Sequence, residues 1–575
     1  MWKKRISVLL AAALVVLCAG CGGQAPTSES SAVDTLPVQE APGSISQTES
    51  SATALEASDI SAESESAREP APGSMAELVL PLTEDPVTFT YLTYANESVV
   101  AAGTQRELNY SVRALEDATG IHIEFDMVNN SAYPETLNLK IASDDLDDFV
   151  LNMSFFYSGA ISNLVETGVI CDMAPLIETD MVNFKGLLEQ DPELSKDIQN
   201  DEGVVCSIPS ITDGGPDISA PGGPMIRTDL LEQTGLSVPE TYEDYEQVLM
   251  AFRDMGVPYP IGLFSTVFYE SCLCGGYGIN ANPGGEPFYV VDDEVRYGFV
   301  QPEAKELLER MHTWYEEKLI SDECFTKTAV FDWMDETIAG TVGIFYNLGG
   351  ALLDSTLQQA QANDPDYAVE AIPDAVKEPG GLVYVTNASS SKVSGMSGLS
   401  IAASCSDPDL AAKWLDYRFT QEGADYCVWG VEGETYTRST DGTPSYTDMI
   451  VNNPDYGNLA SGIYLWTDGA CLNDYRSTTE SLSELANGLN DVWTSNYAEE
   501  RYDLPDSLYM STADAEIYSS RYSDIETYTL ENVAKFVTGA RDLSEWDTFV
   551  ADIQRMGIDD CIQCWQNAYD KYQIR

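Results

Sequence analysis

The chain has 575 residues and carries 94 acidic against 29 basic side chains, for a formal net charge of -65. So negative a surface repels phosphate backbones and anionic headgroups, which excludes nucleic acid as a partner and disfavours a polyanionic ligand. The length exceeds what one simple core can hold and points to two lobes.

Lys3, Lys4 and Arg5 precede an uncharged stretch, Ile6 to Gly20. At about 15 residues it is too short to cross a ~30 Å hydrocarbon core and has the length of a signal-peptide apolar region, so residues 1–20 are expected to be a signal peptide. Leu17-Cys18-Ala19-Gly20-Cys21 resembles a bacterial lipobox, with Cys21 as the thiol that takes a diacylglyceryl group; Cys18 departs from the aliphatic residue usual there. The alternative is an ordinary secretory peptide cleaved nearby, leaving Cys21 as a spare thiol. Lipoprotein processing would add several acyl chains, enough to hold the protein at a membrane where a single chain would not. After Cys21, Ser, Glu, Ala, Pro, Thr and Gly dominate as far as residue 75, and Arg68 is the only basic residue. This segment cannot bury enough apolar surface to fold and is expected to be a disordered tether, with a random-coil reach on the order of 40 Å.

From Pro86 the pattern becomes α/β. Val87 to Leu92 alternates as a strand, Arg106 to Thr119 has helical spacing, and Ile121 to Phe125 is a second strand after Gly120. Leu137 to Ala142 reads as a helix, Asp145 to Asp148 as a solvated turn, and Phe149-Val150-Leu151 as a buried strand. Such alternation predicts parallel strands, with ligands beyond their carboxyl ends. The loops after Leu92 and Leu151 are therefore the first candidate sites. They carry Tyr94, Asn96 and Glu97, then Asn152, Ser154, Phe155, Phe156 and Tyr157.

Further along, several runs resemble the extracellular solute-binding proteins of ABC importers, in their large carbohydrate-type cluster. They are Gly168 to Pro209; Pro224 to Leu231 with Gly235-Leu236 and Pro239 to Tyr242; Trp314-Tyr315 with Leu319-Ile320; Trp429 to Tyr436; and Val537-Thr538-Gly539 through Trp546 with Ile562 to Asp570. The resemblance covers nearly all of the chain from Pro86. It implies a periplasmic-binding-protein-like fold over residues 76–575, two α/β lobes closing on a hinged cleft. Lobe one would hold about 86–205 and part of 370–425. Lobe two would hold about 210–365 and much of 426–530, with C-terminal helices over 531–575. Inter-lobe crossings are expected near Ser207-Ile208-Pro209, near Ala371-Ile372-Pro373 and just before Trp429.

Sugar recognition needs flat apolar faces beside carboxylates, amides and Arg. Aromatics in Gly-containing loops are the informative ones: Phe155 to Tyr157, Tyr277, Tyr346 beside Asn347, Trp429, Tyr436 and Trp466. Each is weighed against ordinary packing. Arg227 follows a strand in a cation-poor chain and is either a ligand contact or an inter-lobe salt bridge. Glu432 could accept hydrogen bonds from sugar hydroxyls. With Glu434 it could also be a glycosidase pair, although closeness in sequence does not establish the separation such a pair needs.

Ten cysteines remain once Cys18 and Cys21 are set aside. Cys561-Ile-Gln-Cys564 has redox spacing at the end of a helical pattern, without the strand–turn–helix context of a redox site, so structural thiols or a bridge are expected. No cofactor and no metal are expected. Phosphate-loop, zinc-protease, serine-hydrolase and calcium-loop motifs are absent, and only His122 and His312 could serve as imidazole bases. The reading is a monomeric, lipid-anchored, non-enzymatic protein on the outer face of the cell membrane. It would capture a small solute, with an oligosaccharide the leading class, for the permease subunits of an ABC transporter. The alternatives are a surface glycoside hydrolase and a carbohydrate-binding lipoprotein without a transport role.

Overall fold

The computed structural model describes residues 78–575 except 96–98, 101–108, 158–160, 265–270, 283–286, 328–329, 387, 455, 457–459, 466–468, 481 and 506. The expected signal peptide, Cys21 and tether, together with Asn96 and Trp466, lie outside the described residues.

Six strands form one sheet, in the order β14 (Leu472–Asp474), β4 (Ile208–Asp213), β11 (Val393–Ile401), β3 (Phe149–Leu151), β1 (Val87–Ala95), β2 (Ile121–Asn129). Parallel pairing joins β1 to β2 and β3, as the α/β alternation predicts, and joins β4 to β14; β11 runs antiparallel between β3 and β4. Edge position explains why β2 begins with an in–out alternation, Ile121 and Ile123 buried, His122 and Glu124 exposed. The central strands are covered on both sides. Phe89, Tyr91, Phe149 and Leu151 pack with Trp414, while Leu92 and Val150 pack with Tyr133, Leu137 and Met153. Between β1 and β2 the helix Tyr110–Thr119 starts where the Asn109 side chain accepts the Val112 N–H at 2.9 Å. It stops at Gly120, with φ 76° and room for no side chain, since a Cβ there would lie 2.7 Å from the Thr83 carbonyl oxygen.

A second, four-stranded sheet has the order β10 (Val369–Ala371), β5 (Gly223–Arg227), β9 (Val342–Asn347), β6 (Tyr259–Gly262). Its helix Tyr242–Met255 opens on a capping box: Asp244 N–H donates to Thr241 Oγ1 at 3.2 Å, and Thr241 N–H to the Asp244 carboxylate at 3.0 Å. The C-terminal helices Thr512–Val537, Trp546–Met556 and Ile558–Ile574 contribute Ile525, Phe536, Phe549, Ile553 and Ile558 to the same core. Two hairpins complete the strands, β7 (Phe288–Val291) with β8 (Glu294–Tyr297) and β12 (Tyr436–Arg438) with β13 (Pro444–Tyr446).

The chain passes between the two sheets through residues 214–222, 372–392 and 475–483. The second passage begins at Ala371-Ile372-Pro373. The first comes later than expected, because Ile208 and Pro209 already belong to β4. The third follows β14 instead of preceding Trp429. Much of 426–530 was expected in lobe two. Instead, the helix Gln421–Val428 packs on the helix Tyr110–Thr119 and on β14, which closes the six-stranded sheet.

Two smaller readings also change. Asp147 is buried on Lys140 at 2.8 Å, and Asp148 accepts the Thr90 N–H at 2.8 Å, so that turn is tied down rather than merely solvated. Cys561 and Cys564 are buried thiols in the first turns of the final helix, not at the end of a helical run.

Candidate functional site

Strand register puts the functional edge of each lobe on the side joined by the passages. In the six-stranded sheet β1, β2 and β3 end together at Ala95, Asn129 and Leu151; β4 and β14 end at Asp213 and Asp474, beside the start of β11, where Val393 pairs with Ile211. In the four-stranded sheet β6 and β9 end at Gly262 and Asn347, beside the start of β5, where Gly223 pairs with Asn347. Residues 214–222 and 372–392 connect these same ends, which therefore bound the inter-lobe cleft, where the carboxyl-end rule places ligand.

At the end of β1 the Tyr94 ring lies 4.7 Å from Tyr133 and 5.3 Å from Phe156, and Phe156 meets Phe155 edge-on at 4.8 Å. Asn152 donates from Nδ2 to the Tyr94 hydroxyl at 2.7 Å. It sits at φ 51°, a left-handed conformation that Asn tolerates better than most residues, and its N–H reaches the Gly398 carbonyl at 2.7 Å. The strand end thus hands a fixed amide and a phenol to a half-buried aromatic patch that includes Tyr157. Asn152 stands at the start of the loop after Leu151 that the sequence marks as a candidate site.

Across the cleft, Tyr346 packs edge-on to Phe264, with centroids 6.1 Å apart, and approaches Gly222 so closely that a Cβ there would lie 2.7 Å from the ring. Asn347 is buried and accepts the Gly349 N–H at 2.7 Å, closing the turn after β9. Trp493, from the helix Glu484–Trp493, covers Gly223 and donates its indole N–H to the Pro224 carbonyl at 3.1 Å.

Asp474 holds the end of β14. It accepts from Arg476 Nη2 at 2.7 Å and from the Trp429 indole at 3.2 Å. Burial works to raise this carboxyl, but the Arg476 and Trp429 hydrogen bonds outweigh it and hold the group below the usual carboxylate range.

Other candidate residues have the following places. Trp429 has no exposed surface and lies between Tyr436 and Tyr446, at 6.1 and 4.6 Å, beneath the β12–β13 hairpin, so Trp429 and Tyr436 form a local core. Glu432 is exposed, 3.9 Å from Arg438. Arg227 stands at the opposite end of β5 from Gly223, buried over the Tyr367 ring at 4.0 Å. Its donors go to Asp229 at 2.5 and 2.7 Å and to the Gly340 carbonyl at 3.0 Å. Tyr277 lies beside the helix Pro302–Glu316, accepts from Arg310 Nε at 3.1 Å and borders a groove in this lobe. No group of three or more metal-ligating side chains gathers among the described residues.

A family model described as bacterial extracellular solute-binding protein matches residues 111–428. The chain belongs to that family. Among its relatives, a solute-binding protein of Streptococcus pneumoniae, the fructooligosaccharide ABC transporter substrate-binding protein FusA, is 22% identical over 495 residues, covering 80% of this chain and 87% of its own. Lipoprotein LipO of Bacillus subtilis is 22% identical over 475 residues, covering 80% and 86%. Among solved structures, an extracellular solute-binding protein from Bifidobacterium longum subsp. infantis superposes with a TM-score of 0.67 at 19% identity, over 85% of this chain and 98% of its own. The alginate-binding protein AlgQ2 gives 0.63 at 20% identity, over 85% and 99%. These solute-binding proteins share the two-lobe fold. No helix among the described residues is long and apolar enough to cross a membrane.

Proposed function

We propose that this solute-binding protein captures an oligosaccharide in the cleft between its lobes, outside the cell. It then delivers the sugar unaltered, as a monomer, to the permease subunits of an ABC importer. The supporting observation is the pairing of aromatic and amide groups on both cleft edges: Tyr94, Phe155 and Phe156 with Asn152 on one side, Tyr346 on the other. Flat rings suit the C–H faces of a sugar, and fixed amide and phenol groups suit its hydroxyls. The carbohydrate named for FusA agrees with this chemistry. Cys21 would anchor the chain in the membrane by its lipid, and residues 22–75 would give the lobes reach. Permease and ATPase would be separate subunits, so the chain itself needs no catalytic set.

The test is a thermal-shift titration with mono- and oligosaccharides, followed by chromatography of each sugar after prolonged incubation. A concentration-dependent rise in midpoint with intact sugar is expected, since a ligand that binds only the native state stabilises it. A shift accompanied by degraded sugar would replace transport with hydrolysis.

A further inference from the structure

A second groove, of about 470 Å³, opens in the lobe of the four-stranded sheet. None of the strand-end residues Tyr94, Asn152, Tyr346 or Asn347 borders it. Its walls come from the β7–β8 hairpin (Tyr289, Arg296), the start of the helix Pro302–Glu316 (Glu303), Gln301 just before that helix, and the pair Tyr384 and Tyr502. Its volume falls in the ~300–1,000 Å³ range of small-molecule sites.

The two tyrosines are half-buried and stack at 4.9 Å with 20° between ring planes. Backbone hydrogen bonds fix them to three segments: Tyr502 N–H to Tyr384 O at 2.7 Å, Val290 N–H to Tyr502 O at 2.8 Å, and Tyr384 N–H to Gly275 O at 3.3 Å. The wall is therefore pre-formed. Tyr289 is only 2% exposed, yet its hydroxyl takes no hydrogen bond from the described residues. Burial pushes that phenol up, so it stays a protonated donor at neutral pH. The nearest carboxylate to the Arg296 guanidinium is Glu294, at 3.8 Å and beyond hydrogen-bond reach. Gln301 donates to the Tyr297 carbonyl at 3.3 Å, which leaves its amide oxygen to accept.

A buried donor, a guanidinium, an amide oxygen and the Glu303 carboxylate thus line one groove beside a flat aromatic wall. Hydrophobic occupants would leave these polar groups unsatisfied, and an anionic one would meet Glu303. We infer that this groove is a second sugar-binding site, separate from the cleft, taking one or two rings of a neutral oligosaccharide against Tyr384 and Tyr502 with hydroxyls on Tyr289, Arg296 and Glu303. Tyr384 stands on the 372–392 passage, so an occupied groove presses on a segment that must bend when the lobes close.

The test follows tyrosine ring resonances in the full chain, labelled at its tyrosines and titrated with 1-kestose, maltotriose and cellotriose. Variants Arg296→Ala, Tyr384→Leu and Tyr94→Ala assign the responses. At least one sugar is expected to move the Tyr289, Tyr384 and Tyr502 signals saturably, with a dissociation constant raised about tenfold or more by Arg296→Ala or Tyr384→Leu and unchanged by Tyr94→Ala. Arg296 is half-exposed, so its variant should fold even if Tyr384→Leu does not. The second site is overturned if no sugar moves these signals, or if Tyr94→Ala abolishes the response. A Tyr94 response without a Tyr384 response would leave the cleft reading standing alone.

Discussion

Ser219 and Ser389 exchange both backbone hydrogen bonds, Ser219 N–H to Ser389 O at 2.9 Å and Ser389 N–H to Ser219 O at 3.0 Å, although they stand on different passages between the sheets. The pairing makes two crossings into one ribbon, and a ribbon at a domain boundary bends as a unit. Ser389→Pro removes one of the two donors. It is expected to cost about 1–3 kcal/mol in urea unfolding and to increase the radius of gyration measured by small-angle scattering. Unchanged scattering together with an unchanged melt would show that the ribbon does not restrain the lobes.

Gly223 is needed for what lies above it. A Cβ at this position would be 2.5 Å from the Trp493 ring, inside any allowed contact. Gly223→Ala should push the helix Glu484–Trp493 off the four-stranded sheet at a cost of about 1–3 kcal/mol. A lower denaturation midpoint with the same slope is the expected signature. A midpoint equal to the parent's would mean that the third passage tolerates displacement.

Asp474 sets an acid limit. Its folded-state carboxyl is held below the unfolded value of about 3.9, so the stability it contributes is present above that value. As pH falls through the lower folded value, that contribution is lost. Asp474→Asn should therefore flatten the fall in stability below about pH 4 while lowering stability at neutral pH. Parallel stability curves for parent and variant would refute the assignment.

Burial pushes the Cys405 and Cys561 thiols up to about 12 and Cys206 to about 11. At pH 8 these groups are almost wholly protonated and poor nucleophiles. In native protein at pH 8, iodoacetamide should label them slowly, and labelling should become rapid in denaturant, as followed by mass spectrometry of peptides. Fast native labelling of Cys405 would contradict its burial.

The first three strands were legible because their signals are local: alternation in β1 and β2, a Gly stop after the intervening helix, and the apolar run of β3; the Asn109 cap, which starts that helix later than its spacing suggests, was not read. Tyr94 and Tyr346, expected in loops, belong to the last residues of β1 and β9, and Phe156 to the short helix after β3. β14 left no such trace, since Leu472-Asn473-Asp474 is too short to show a period and is half-buried throughout. Trp429 was misread for a related reason. An aromatic beside glycines looks like a loop residue until Tyr436 and Tyr446 fold over it. Arg227 was ambiguous because its partners Tyr367 and Gly340 are remote in sequence; only tertiary packing reveals that the guanidinium is buried between Tyr367, Asp229 and the Gly340 carbonyl. The Tyr384–Tyr502 wall was illegible for the same reason.

The position of β4 has a consequence for synthesis. Its hydrogen-bonding neighbours are β11 and β14, made long after it, so an emerging chain carries Ile208–Asp213 with both edges bare. Pairing so distant in sequence makes folding slow, and a bare strand invites association with other chains. Residues as far as Asp474 must be available before the sheet can close, so this sheet completes itself only when about four-fifths of the chain has been made.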